Sequence, residues 1–411
     1  MSRFLDVFLY SHKVGTLEQD NHGQLFFTYS TEWLEKDGSQ ILSQSLPLQK
    51  ERFKRHQCRP FFAGILPDET KREVIAQRLG ISAKNDFSLL EKIGGECGGA
   101  ISFLPQGTPY PLIEHKYHPL SENELVSILQ QLPDRPLLAG EKGVRLSLAG
   151  AQDKIPLYYD GETFSLPLES SPSTHIIKPA ITRYEGQVYN EALCLSLARH
   201  VGLPVVHADW RKTEGVEYLL VQRYDRKKDA AGNLWRIHQE DFCQALGIVP
   251  ENKYQVEGGP TLKQCFDLVR RVSTHPLKDL EVLLDAVIFN LFIGNNDAHG
   301  KNFSLLYEDQ SVRLAPLYDL ISTAFYKDID PHMAMKLGGE ANSLKVAEKH
   351  FELFCQEVAL SYTLVRERMH KLAFELTHQL ENISFIHPVE NEIAHLIKER
   401  TFKLCLQRSQ Q

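Results

Sequence analysis

The stretch Leu280–Gly294, "LEVLLDAVIFNLFIG", constrains the fold more than any other. Leu280, Leu283, Leu284, Val287, Ile288, Leu291 and Phe292 recur at helical spacing, and Val282, Ala286 and Phe289 between them are apolar too. A helix that is apolar on most sides cannot lie on a surface and must be surrounded by other elements. Directly after it comes "GNNDAHGKNFSLL", Gly294–Leu306, with three asparagines, an aspartate, a histidine and a lysine. The buried helix therefore carries a dense polar cluster into the interior. The following "FSLLYEDQSVRLAPLYDL" reads as two strands joined by a Glu-Asp-Gln-Ser turn, which would bring Asp319 back towards Asn302.

The rest of the chain divides into a strand-rich half and a helical half. Residues 1–50 read as short strands, with "FLDVFLY" and "QLFFTYS" flanking a turn-forming "DNHG". "FFAGILPDETKREVIAQRLGI" starts extended, breaks at Pro67 and continues as an amphipathic helix capped by Asp68 or Thr70. "EKIGGECGGAISFLP" ends in a strand. The proline-bearing "PQGTPYPLIEHKYHPL" reads as a linker, so an accessory N-terminal unit is expected over 1–107. Strands are expected on either side of the turn in "GVRLSLAGAQDKIPLYYDG", then in "THIIKPA" and "VEYLLVQRYDR". One helix, "VYNEALCLSLARHVGLP", is stopped by Gly202 and Pro204. These elements make a second part over 108–224. From about 236 helical periodicity dominates, giving a helical part over 225–411. Strands followed by helices predict an α+β chain with the element order of a two-lobed kinase-like fold.

Length and charge narrow the function. The 411 residues suit two or three structural units, and 42% hydrophobic content is enough for real cores. Lys plus Arg number 46 against 53 Asp plus Glu, a formal net charge of −7. That argues against general nucleic-acid binding by the bare chain, since phosphate neutralisation needs surplus cations. The seven cysteines are odd in number and widely spaced, without CxxC, which suits reduced thiols in a cytoplasmic protein. The first residues do not read as a signal peptide, and no apolar run reaches the roughly 18 residues of a membrane helix.

The polar cluster has the residue types of phosphoryl transfer. Asp297 and Asn302 form D-x-x-x-x-N, the spacing at which a kinase aspartate orients the attacking hydroxyl while the asparagine holds a metal ion. Asp319 supplies a second hard oxygen ligand of the kind Mg²⁺ requires. The plain alternative is that Asp and Asn satisfy loop backbone, and that Asp319 caps "LISTAF". Lys178, at the end of an apolar strand, could meet nucleotide phosphates with Glu191 as its partner; it reads equally well as an exposed lysine at a strand end. "SLAGAQDK", Ser147–Lys154, is a candidate phosphate loop in which Gly150 between Ala149 and Ala151 allows backbone N–H groups to approach an anion. A simple β-turn fits it too. "VQRYDR" could present Gln222 and the Tyr224 ring to an adenine, or merely end a strand in a solvated charge run.

Taken together, "SLAGAQDK", "THIIKP", "NEALCLSLARHVGL", "VQRYDR", "NDAHGKNFS" and "LAPLYDLIST" resemble the HipA family of bacterial Ser/Thr kinase toxins from type II toxin–antitoxin systems. "FFAGILPD" and "FSLLEKIGGECGGAISFLP" are similar to the family's accessory N-terminal region, so the resemblance spans nearly the whole chain. It implies a two-lobed protein-kinase-like α+β fold of HipA type, with ATP and Mg²⁺ as cofactors. It implies Asp297 as catalytic aspartate and Asn302 and Asp319 as Mg²⁺ ligands. Lys178 would contact phosphate, Gly150, Ala151 and Lys154 would lie in the phosphate loop, Gln222 and Tyr224 at the adenine hinge, and His299 near the nucleotide. Ser147 matches the autophosphorylation site, whose modification expels the loop and switches such kinases off. The implied partners are a HipB-like helix-turn-helix antitoxin, operator DNA through that antitoxin, and an aminoacyl-tRNA synthetase as substrate. Asn296 stands where ordinary protein kinases have Arg, and Tyr318-Asp319-Leu320 replaces Asp-Phe-Gly. A non-catalytic antitoxin-binding co-repressor and a small-molecule kinase are the competing expectations.

Overall fold

The computed structural model describes residues 2–110, 115–228 and 232–406. The chain forms two compact units. The first comprises Met1–Pro179, Arg211–Glu251 and Leu305–Ser311; the second comprises Ala180–Trp210, Asn252–Ser304 and Val312–Gln411.

The first unit is built on two antiparallel sheets. One runs in the order Leu25–Tyr29, His12–Gln19, Arg3–Leu9, Ile101–Pro105. Three strands, not two, thus occupy the first thirty residues, and the "DNHG" turn joins the second and third. The other sheet carries Lys116–Pro119, Phe164–Leu168, Ile155–Tyr159, His175–Pro179 and Val216–Gln222 in that order. Alternating apolar residues from both sheets meet in a single core that includes Phe27, Phe62, Phe103, Leu157, Ile177 and Tyr218.

Several local expectations are corrected. Phe61–Gly64 is not extended but closes the helix Arg55–Gly64, whose Phe61 and Phe62 are buried. Asp68 stands at the N-cap of Glu69–Leu79, yet its side chain makes no capping bond. "GVRLSL" is not a ladder strand; it makes one parallel bridge, Glu96 to Leu146. Lys116–Pro119, inside the proline-bearing stretch, is an edge strand, a position that tolerates proline because no inward donor is lost. Short strands at Arg226–Lys228, Leu234–Arg236 and His238–Asp241 come before the helices.

The second unit is helical. Its centre is Pro276–Ile293, buried without interruption from Leu283 to Ile293 and packed against Leu262–Val272, Tyr362–Asn382 and Pro388–Leu406. Its polar residues are answered individually. Asp279 is paired with Arg313 at 2.7 Å and Asp285 is bonded by Arg368 at 2.8 Å, while Asn290 donates to the Ala286 carbonyl at 2.8 Å. Pro276 starts the helix with its fixed φ, and Gly294 ends it at φ 71. A Cβ at Gly294 would lie 2.7 Å from Ala324 Cβ, so this close turn requires glycine. Arg400, whose pKa burial lowers to about 10, donates to the Leu291 carbonyl and satisfies an end the helix leaves open. None of the seven cysteines is in a disulfide. No described helix is long and apolar enough to cross a membrane.

Candidate active site

In the second unit, the chain leaving Gly294 is knotted by side-chain amides. Asn295 accepts from the Asp297 N–H at 3.2 Å and donates to the Asn290 Oδ1 at 2.8 Å and the Asp319 carbonyl at 3.3 Å. One buried amide therefore fixes the helix end, Asp297 and Asp319 together. The Asn302 amide donates to the Asp297 carbonyl at 3.1 Å, the His299 N–H does so at 2.8 Å, and the Asn302 N–H bonds the His299 carbonyl at 2.9 Å. The return path is also fixed. Ala315 N–H bonds the Ser304 carbonyl at 2.8 Å, and the Tyr318 hydroxyl donates to the Lys301 carbonyl at 2.8 Å. Asp297, Asn302 and Asp319 are thus brought into one construction, as the sequence spacing predicts, and His299 is part of the same loop.

Two features were not legible beforehand. Tyr254, from the turn before Leu262–Val272, donates its hydroxyl to Asp297 Oδ1 at 2.8 Å, and its ring meets His299 edge-on at 5.5 Å. Nothing in the local sequence marks this tyrosine, because its target lies 43 residues onward. Asp319 also adopts φ 52, a left-handed conformation costly for a residue with a Cβ though least so for Asp and Asn. Such strain persists where surrounding bonds dictate it, and it clusters at functional positions. No helix follows Asp319 for it to cap; only a single 3-10 turn, Thr323–Phe325, occurs there.

The oxygen donors suit a hard cation. Asn302 uses its amide nitrogen on Asp297, which leaves Oδ1 for a metal, and Asp319 adds a carboxylate. Among the described residues no group of three or more His, Cys, Asp or Glu gathers to hold an ion. Mg²⁺ does not need one, since it usually takes one or two carboxylates and completes its shell with substrate phosphates and water. The set therefore fits Mg²⁺ delivered with a nucleotide.

In the first unit, Ser147–Lys154 forms an irregular loop. Gly150 has φ 108, and Lys154 Nζ donates to the Ala149 carbonyl at 2.8 Å, curling the loop on itself. Ala151 is exposed. The Ser147 side chain is wholly buried, with its hydroxyl donating to the Ile65 carbonyl at 3.0 Å. Lys71 pairs with Asp153 at 2.6 Å, and Asp68 N–H reaches the Gly150 carbonyl at 3.3 Å. Lys178 is buried opposite Leu219 in the sheet, and Gln222 ends the neighbouring strand, exposed, opposite His175. Tyr224 is half-buried, its hydroxyl bonded to Gln239. Glu191 belongs to the second unit, where it accepts from Gln187 at 3.2 Å.

The charges of "VQRYDR" are not a solvated run. Arg223, Asp225 and Arg226 are all buried and join Glu96 and Arg236 in one ionic network. Burial alone would raise the Glu96 pKa, but Arg226, Arg236 and Arg223 hold it down at about 2. Glu240 in the same unit has hydroxyl and amide donors from Ser43, Tyr307 and Gln44 but no cation, and burial pushes it up to about 7.

Comparison with known proteins gives a consistent result. The model of the HipA-like C-terminal domain matches residues 146–382, and that of the HipA N-terminal domain matches residues 5–104. The chain is 49% identical to "Putative kinase Y4mE" of Sinorhizobium fredii over 90% of this chain and 89% of that protein. It is 27% identical to the serine/threonine-protein kinase toxin HipA of Shewanella oneidensis over 96% of this chain and 92% of that one. The structure of the Shewanella oneidensis toxin–antitoxin complex of HipA, HipB and operator DNA superposes with a TM-score of 0.85 at 25% identity, covering 97% of both chains. The architecture is accordingly a two-lobed, kinase-like α+β fold.

Proposed function

As the chain belongs to the HipA family of kinase-like proteins, we propose that it is an ATP- and Mg²⁺-dependent Ser/Thr protein kinase acting as the toxin of a toxin–antitoxin pair. The observation that carries this reading is the assembly of Asp297 and Asp319 by the Asn295 amide, with Asn302 tied to the Asp297 carbonyl. Asp297 accepts the proton of the acceptor hydroxyl as that oxygen bonds to the γ-phosphorus, and the bond to the ADP oxygen breaks. Mg²⁺, when bound by Asn302 and Asp319, supplies positive charge to the phosphate oxygens. Lys178 adds a fixed cation, while Gly150, Ala151 and Lys154 cradle phosphate. Gln222, Tyr224 and His299 border the nucleoside. The substrate we favour is a serine of an aminoacyl-tRNA synthetase, whose modification would stop charging and arrest growth in the cytoplasm.

Ser147 is the proposed self-inactivation site. Its buried, bonded hydroxyl means that the Ser147–Lys154 loop has to leave its seat before modification, and a phosphate there could not return to the same pocket. The partner is a HipB-like helix-turn-helix antitoxin. It would carry the DNA contacts that a chain of net charge −7 is poorly suited to make.

The test is the intact and peptide mass after incubation with Mg-ATP, beside Asp297→Asn. One added phosphate on Ser147 in wild type alone supports kinase and switch together. No phosphate and no ATP binding by calorimetry would favour the antitoxin-binding co-repressor instead. Transfer to small molecules but not to protein would favour the small-molecule kinase.

A further inference from the structure

The stretch "GGECGG", Gly94–Gly99, places four glycines around one acid and one thiol, and none of the chemistry above uses it. Its geometry lies within the first unit and faces two segments at once. Through the backbone it holds the start of the phosphate loop. Glu96 N–H bonds the Arg145 carbonyl at 2.8 Å, and Ser147 N–H bonds the Glu96 carbonyl at 2.8 Å. A Cβ at Gly95 would overlap the Glu169 carbonyl and lie 2.8 Å from Arg145 Cβ, so only glycine allows this approach.

Through its side chain the same residue holds the other segment. Glu96 Oε1 accepts from Arg223 Nη1 at 3.1 Å and from Arg226 Nη2 at 2.6 Å, and its Oε2 from Arg236. Ser173 bridges the pair, donating its hydroxyl to Glu96 Oε1 at 2.9 Å and accepting from Arg223 Nη1 at 3.0 Å. Arg223 lies between Gln222 and Tyr224. Its remaining donors are spent on Asp225 at 2.7 and 2.9 Å and on the Cys97 carbonyl at 2.9 Å. Gly99 N–H closes the circuit on Asp225 Oδ2 at 2.6 Å.

We infer that Glu96 is a positioning residue for nucleotide binding: its carbonyl seats the Ser147–Lys154 loop and its carboxylate, through Arg223, seats Gln222 and Tyr224. The inference rests on the reading that these two segments meet the nucleotide. A charge this deeply buried and this fully bonded keeps a single geometry, because any rearrangement strands an ion without partners. The accessory N-terminal region thereby sets the spacing of both nucleotide-facing segments, and unseating the loop withdraws a partner from the brace that also holds the hinge.

The test uses the full chain and two independent measurements. Glu96→Gln leaves three buried guanidiniums facing one fewer charge and could fail to fold. Ser173→Ala removes only the bridging hydroxyl, so it is the kinetic variant. The expected result is a KM for ATP raised about fivefold, the worth of one net buried hydrogen bond, with kcat within about twofold and the melting curve still cooperative. A loss confined to kcat, or an unchanged KM, would overturn the inference. In parallel, hydrogen exchange of wild type is compared with and without a non-hydrolysable ATP analogue and Mg²⁺. Added protection at 94–99 together with 145–149 and 222–226 supports the brace, whereas protection of the last two without the first overturns it. If wild type binds no analogue at all, the kinase reading fails and takes the inference with it, an outcome distinct from failure of the brace alone.

Discussion

From Gly294 to Asn302 the loop is tied within itself, Asn295 on Asp297 and Asn302 and His299 on the Asp297 carbonyl, and is tied as well to Tyr254, Thr323, Ala324 and Ala334. The Ser147–Lys154 loop is held mostly by distant segments: Ser147 by Ile65 and Glu96, Gly150 by Asp68, Asp153 by Lys71. A loop tied within itself as well as to its surroundings keeps its shape when a single outside bond is lost. A loop tied to borrowed partners can be released as a piece when a few bonds are exchanged for water. The first arrangement suits atoms that must be placed for chemistry, and the second suits a segment that must leave its seat to be modified.

The largest effect is expected at the self-tied loop. Asp297→Asn should lower phosphotransfer by about 10²–10⁴-fold, the usual contribution of a positioned base, with unfolding by denaturant nearly unchanged. Near-normal turnover in radiolabelled transfer would remove Asp297 from its role. Asn295→Ala comes next. It cuts the tie between Asp297 and Asp319, and a misplacement of about 1 Å costs roughly 10²-fold, read as kcat with ATP affinity retained. A loss of under threefold would mean that the loop is not organised by this amide.

Tyr254→Phe should lower kcat about tenfold, the worth of one hydrogen bond to a charged group, with KM for ATP unchanged. A rise in activity would instead show that the tyrosine hydroxyl occupies the place of the acceptor. At the borrowed loop the effects are smaller. Ser147→Ala should cost about 1 kcal/mol of stability through the lost bond to Ile65, leave transfer to other proteins active and abolish self-phosphorylation at this position. Stable phosphate elsewhere on the Ser147–Lys154 loop would break the comparison.

Two buried glutamates sharpen the contrast within the first unit. Glu240 is raised from 4.5 to about 7, so the native state holds its proton longer than the unfolded chain. Its contribution is complete below pH 4.5 and is lost as pH rises through about 7. Glu96 is lowered from 4.5 to about 2, so its contribution is complete above pH 4.5 and is lost as pH falls towards 2. Denaturant unfolding between pH 5 and 8 should therefore lose its slope in Glu240→Gln. A slope unchanged by that substitution would assign the dependence to other groups.

What the sequence determined by itself was what local spacing encodes. The 3.6-residue apolar period of Leu280–Phe292 required a central helix. Asp297 and Asn302, five residues apart in a loop after that helix, had to lie near each other, and the two strands that follow had to return the chain to Asp319. The motif string was enough to suggest the family that the comparisons then showed. Phe61–Gly64 reads as extended because aromatic residues serve either a buried strand or the inner face of a helix, and packing chose the helix. Tyr254 on Asp297, and Glu96 beneath Arg223 across 127 residues, were decided only by tertiary structure. No period or motif links such residues. Their pairing is settled by burial, which makes an unanswered charge or hydroxyl too costly to leave and so selects the partners that the folded chain brings within reach.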